Sequence, residues 1–142
     1  MTIAAILETK GSDVLTIEVE TPVRDAVTIL ADRRIGALPV LRDGAVVGIM
    51  SERDIIYKLR SDGAQVLDWT VEGIMTSPAI TVTPDQQIMG ALSLMTRRRI
   101  RHLPVVEGER IVGIVSIGDL VKFRMDKIER EAAELLNYIQ SA

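Results

Sequence analysis

Apolar positions along the chain switch between two rhythms, and the switch happens twice. "DVLTIEV" (13–19) alternates as a short strand does, and "PAITVT" (78–83) repeats that signal. Thr21-Pro22 then opens a helix on whose single face lie Val23, Ala26, Val27 and Leu30. Ile88, Ala91, Leu92 and Met95 form the same face further along. A strand follows at Leu38-Pro39-Val40-Leu41, then a turn at Asp43-Gly44, then a strand at Val46–Met50. Ser51 begins a second helix. The predicted order is β-α-β-β-α, twice, which gives an α/β (α+β) fold.

The two halves are copies. Leu38-Pro39-Val40 recurs 65 residues later as Leu103-Pro104-Val105. The same offset carries Val47-Gly48-Ile49 to Val112-Gly113-Ile114, Ser51 to Ser116, Asp54 to Asp119, and Arg33-Arg34 to Arg98-Arg99 without a gap. The units are read as residues 8–64 and 73–125, with 65–72 between them and an extension at 126–142. A unit of about sixty residues buries too little of its surface to be robust alone. The two are therefore expected to pack sheet to sheet about a pseudo-twofold axis. Along the last helix, Val121, Met125, Ile128, Ala132, Leu135 and Ile139 make a heptad stripe. It suits either a cover for the chain's own core or a contact with a second copy. Trp69, beside Val66, Leu67 and Val71, reads as a packing residue.

Composition narrows the function. Hydrophobic residues make up 47% of the 142 and aromatics only 3%, so the core must be aliphatic. A net charge of −3 gives no general reason to bind nucleic acid. The short basic run Arg97–His102 lacks the interleaved aromatics that would stack bases. With no cysteine and one histidine, disulfides and a His/Cys zinc site are not expected. The apolar run Ile3–Leu7 is too short to span a bilayer and has no basic flank, so a soluble cytoplasmic protein is expected. There is no P-loop, ligand cluster or nucleophile–base pair, so the chain is not read as an enzyme.

What remains is "GIMSERD" (48–54) and "GIVSIGD" (113–119). Ser-x-x-Asp at a strand end reads as a capping box, with the serine accepting from an orphan N–H of the helix. It also reads as a ligand site. A phosphate suits the helix N-terminus, and a short carboxylate one turn on suits the two hydroxyls of a ribose. The two readings do not exclude each other.

The gapless repeat, both Leu-Pro-Val segments and both Gly-h-x-Ser-x-x-Asp ends together resemble cystathionine-β-synthase (CBS) domains, which occur in tandem as a Bateman module. Lys10-Gly11-Ser12-Asp13 and "SERD" are similar to a stand-alone bacterial group of such proteins. The resemblance implies two clefts between the repeats that take adenosine nucleotides: AMP, ADP, ATP or NADH. One cleft would use Ser51, Arg53, Asp54, Ile80, Val82, Arg101 and His102. The other would use Lys10, Asp13, Leu15, Ile17, Gly36, Ala37, Ser116 and Asp119. No cofactor is required, and magnesium would enter only with a polyphosphate.

The copies differ before Leu-Pro-Val: Gly36-Ala37 in one, Arg101-His102 in the other. Both cationic candidates then face Asp54, and that cleft is expected to prefer more phosphate charge. The function expected is a regulatory module that reports nucleotide occupancy through homodimer geometry to an unknown effector protein in trans, without nucleic acid or membrane. The alternative is a constitutive dimeric scaffold in which the serines only cap.

Overall fold

The computed structural model describes residues 1–141. The elements run α1 (Ile3–Lys10), β1 (Ile17–Glu18), α2 (Val23–Arg33), β2 (Ala37–Arg42), β3 (Ala45–Ser51), α3 (Glu52–Asp62), α4 (Ile88–Arg98), β4 (His102–Glu107), β5 (Arg110–Ser116) and α5 (Ile117–Ser141). Two short 3-10 turns, Ala64–Asp68 and Val71–Gly73, link the repeats. The β-α-β-β-α repeat is present, with the long C-terminal helix attached.

The hairpins are equivalent residue by residue. Ala37 pairs with Ser51 and Val40 with Gly48; at the 65-residue offset His102 pairs with Ser116 and Val105 with Gly113. Even the register shift recurs, after Val40 and after Val105. The first turn needs two left-handed residues, and Asp43 (φ 51°) and Gly44 (φ 83°) supply them. The first strand of each repeat is shorter than its alternation predicts. β1 keeps two residues, parallel to β2, and the second copy keeps only a bridge from Val82 to Val105. The alternating pattern there records burial rather than a ladder.

Each repeat has its own aliphatic core. The first gathers Val23, Ala26, Leu30, Leu38, Val40 and Met50, with Trp69 packed on its edge. The second gathers Ala91, Met95, Leu103, Val105, Val115 and Leu120. The units meet with β3 against β5.

The segments before the repeats exchange places. The helix α1, which the sequence reading did not foresee, buries Ile3 and Ile6 in the second core. Its Leu7 lies over Gly113, so close that a Cβ there would sit 2.7 Å from Cδ2. Correspondingly, Met75-Thr76, just before the first strand signal of the second repeat (78–83), lies over Gly48. A Cβ there would sit 2.6 Å from the Met75 sulfur and 2.9 Å from the Thr76 carbonyl oxygen. Each repeat is thus closed by the lead-in to the other.

Beyond Leu120, Phe123 still packs on the second core, but the heptad stripe of α5 faces away from it. Val121, Met125, Ile128, Leu135 and Ile139 are all about half exposed or more. Of the two readings of the heptad stripe, a cover for the chain's own core is therefore the wrong one: the body of the protein ends before the helix does. No helix among the described residues is long and apolar enough to cross a membrane.

Candidate functional site: two clefts between the repeats

Both Ser-x-x-Asp segments form complete capping boxes. Ser51 Oγ accepts from the Asp54 N–H at 3.2 Å, and Asp54 Oδ2 accepts from the Ser51 N–H at 2.8 Å. Ser116 and Asp119 repeat this at 3.1 and 2.8 Å. The first N–H of each helix is also used: Glu52 donates to the Gly36 carbonyl and Ile117 to the Arg101 carbonyl. The second N–H, on Arg53 and on Gly118, is taken by neither arrangement. A helix start with a donor left over and its partial positive charge suits an anion.

Each start opens on a cleft walled by both repeats. Cleft one, about 200 Å³, lies between Ser51, Arg53 and Asp54 on one side and Ile80, Arg101 and His102 on the other. Its apolar wall is completed by Ile49, Ile100 and Ala37. Cleft two, about 460 Å³, lies between Ser116 and Asp119 on one side and Lys10, Asp13, Leu15, Gly36 and Ala37 on the other.

Two expected members are elsewhere. Val82 and Ile17 line neither cleft; they are 5% and 6% exposed and belong to the second and first cores. The resemblance implied both for the clefts; here their side chains pack into the cores instead.

Gly36, Ala37 and His102 line both clefts, so the two sites share a wall. The difference between the copies here is steric as much as electrostatic. The His102 ring lies on Gly36, where an added Cβ would meet Cε1 at 3.0 Å. The small residues of one copy thus make room for the large ones of the other. His102 is also not the cation expected at neutral pH. Burial pushes its pKa below 6.5, the nearby Glu52 carboxylate only partly opposes this, and Lys10 reinforces it.

The expected surplus of cations in cleft one is absent. Arg53, Arg99 and Arg101 line cleft one beside Glu52 and Asp54, whereas Lys10, Arg33 and Arg34 line cleft two beside Asp13 and Asp119. The sequence reading did not include Arg33, Arg34 or Arg99 among the cleft residues. Arg34 and Arg99 end α2 and α4 in left-handed conformation, φ 53° and 55°, where glycine is usual. Arginine at both C-caps was the available signal. Arg53 is held across the cleft by donating to the Arg99 carbonyl at 3.2 Å.

The two carboxylates differ in what they hold. Asp54 Oδ1 accepts from the Thr76 hydroxyl at 2.9 Å, a partner the sequence did not suggest. Asp119 Oδ2 instead meets the Lys10 ammonium at 2.6 Å. Lys10 also donates to the Ile114 carbonyl at 2.8 Å. Burial pushes the Asp119 carboxyl up, but the Lys10 and Ser116 hydrogen bonds and the Lys10 charge outweigh it, and the net shift is downward.

The CBS domain family model matches residues 7–61 and 71–126. The mitochondrial CBS domain-containing protein CBSX3 of Arabidopsis thaliana is 36% identical over 148 aligned residues, covering 98% of this chain and 72% of its own. Among solved structures, a CBS-domain-containing protein from Agrobacterium tumefaciens superposes with a TM-score of 0.84 at 35% identity, over 87% of this chain and 99% of that one. The CBS domain pair of protein MJ0100, solved in complex with 5'-methylthioadenosine and S-adenosyl-L-methionine, superposes with a TM-score of 0.79 at 28% identity, over 89% and 98%. On the repeat, the fold and these matches together, the chain belongs to the CBS domain family, as a tandem pair of CBS domains.

Proposed function

We propose that the protein is a cytoplasmic regulatory module, not an enzyme, that senses adenosine nucleotides (AMP, ADP, ATP or NAD(H)) in its two clefts. It passes their occupancy to an effector protein in trans through the geometry of a homodimer. The observation that carries the reading is the pairing, in each cleft, of a spare helix N-terminal N–H with a carboxylate one turn on and an apolar wall. Phosphate, ribose diol and base each have a group of the right chemistry. The MJ0100 pair, which holds two adenosine-bearing ligands, supports the class of ligand.

The exposed stripe on α5 supports the homodimer. A helix of this length projecting with an uncovered apolar face is marginal in water until a second copy covers it. A ligand shifts the dimer only by its different affinity for two arrangements of the pair.

Calorimetric titration with AMP, ADP, ATP and NADH at fixed salt tests the reading, and saturable micromolar binding of one of them is the expected result. A second reading, a scaffold in which the serines only cap, draws on the fact that both capping boxes are complete without a ligand. Absence of binding up to millimolar nucleotide by a folded dimer would select it.

A further inference from the structure

Asp54 and Asp119 are equivalent by sequence, yet an incoming ribose meets different partners at each. At Asp54, beyond its own cap, the carboxylate holds only the Thr76 hydroxyl. That group is neutral, and it both donates and accepts. A ribose diol arriving there exchanges one neutral hydroxyl for others. At Asp119 the corresponding partner is the ammonium of Lys10. Both side chains are partly buried, at 36% and 26% exposed. Lys10 is not on a loose loop. It ends α1, whose Ile3 and Ile6 are fixed in the second core.

A diol that takes over Asp119 displaces a cation and offers no charge in return. Lys10 then keeps only the Ile114 carbonyl as acceptor and loses its charge-assisted partner. A phosphate seated at the start of α5, where the Gly118 N–H is spare, supplies that counter-charge and lets Lys10 move from carboxylate to phosphate.

We infer that Lys10 is the specificity-determining residue of cleft two: it confines that cleft to phosphorylated adenosine ligands, while cleft one also accepts the uncharged nucleoside. This rests on the reading of the clefts as adenosine sites.

The test titrates adenosine and AMP separately into the full-length protein and into Lys10→Met and Lys10→Arg. Asp119→Ala identifies which equivalent belongs to cleft two, and a thermal melt checks that each variant is folded. The wild-type protein is expected to take one equivalent of adenosine and two of AMP. Lys10→Met is expected to gain a second adenosine equivalent and to bind its second AMP about tenfold more weakly or worse. Lys10→Arg keeps the wild-type pattern. Two adenosine equivalents in the wild-type protein, or a Lys10→Met variant that weakens both ligands alike or neither, would overturn the role of Lys10 and leave the clefts as nucleotide sites. No AMP binding by any of the proteins would remove the reading of the clefts and this inference with it.

Discussion

Cleft one and cleft two are built from the same turn, the same capping box and the same hairpin register, 65 residues apart. Their outer walls are not copies. The Met75-Thr76 segment closes one and gives its carboxylate a hydroxyl; α1 closes the other and gives its carboxylate an ammonium. A duplicated sequence thus yields two sites of unequal chemistry, because the distinguishing groups come from the lead-in segments, outside the best-matched motifs. Duplication preserves the frame, where backbone hydrogen bonds and aliphatic packing constrain every position. It frees the segments that only cover the frame.

The sharpest way to break the comparison is to remove each carboxylate in turn. Asp54→Ala and Asp119→Ala should each abolish one equivalent of bound AMP, read by titration stoichiometry, and each should cost about 1 kcal/mol of stability through the lost half of its capping box. Unchanged stoichiometry in both would disprove the assignment of the sites.

Arg101→Ala removes a cation from cleft one alone. It should weaken AMP there about tenfold or more and leave cleft two as it was, since a charge-assisted hydrogen bond contributes about 1.5–3 kcal/mol. An equal loss at both clefts would mean that Arg101 acts through the fold.

The two strand glycines compare the covers directly. Gly48→Ala meets the Thr76 carbonyl oxygen, which is backbone held in a bridge to Ile49, whereas Gly113→Ala meets only the end of the Leu7 side chain. Overpacking costs about 1–3 kcal/mol. Urea unfolding should place Gly48→Ala towards the top of that range and Gly113→Ala below it. The reverse order would show that α1 is the more rigid cover.

The smallest effect lies in the shared wall. His102 is disfavoured as a cation in the native state, so the unfolded chain binds more protons below pH 6.5 and stability falls with pH until the folded pKa is passed. Asp119 is favoured as an anion, so its contribution is full above about pH 4 and is lost as pH falls through its lowered pKa. His102→Gln should flatten the stability profile just below pH 6.5 and leave the acid limb. Asp119→Ala should do the opposite. A His102→Gln profile that overlays the wild-type one would remove the charge of His102 from the account. The groups that set its field are Glu52, Lys10, Asp119 and Arg101.

Much of this was legible in the residues. The repeat, the order of elements, the Asp43-Gly44 turn and the two capping boxes follow from periods, turn chemistry and a 65-residue offset, which are local and read directly from side-chain type; the residues that each cleft takes from the opposite repeat were implied by the resemblance to CBS domains. Asp13 and Leu15 line cleft two, and Ile80 and Arg101 line cleft one. Ile17 and Val82, implied for the clefts by the same resemblance, lie in the cores, because a family's position along a strand does not say which face this chain turns inward. The helix α1 was invisible, since five apolar residues in a row carry no period and only the second core gives them a reason to be helical.

The sequence by itself determined the frame: two β-α-β-β-α units, each ending in a serine-capped helix, and a heptad face on the last helix. These depend on interactions between residues a few positions apart. The tertiary structure alone decided that the lead-in to each repeat covers the other, that His102 lies on Gly36 between the clefts, that Lys10 rather than a hydroxyl meets Asp119, and that the heptad face stands clear of the body. Those facts join residues up to 109 positions apart, and no local preference of the chain encodes which distant neighbour a side chain will meet.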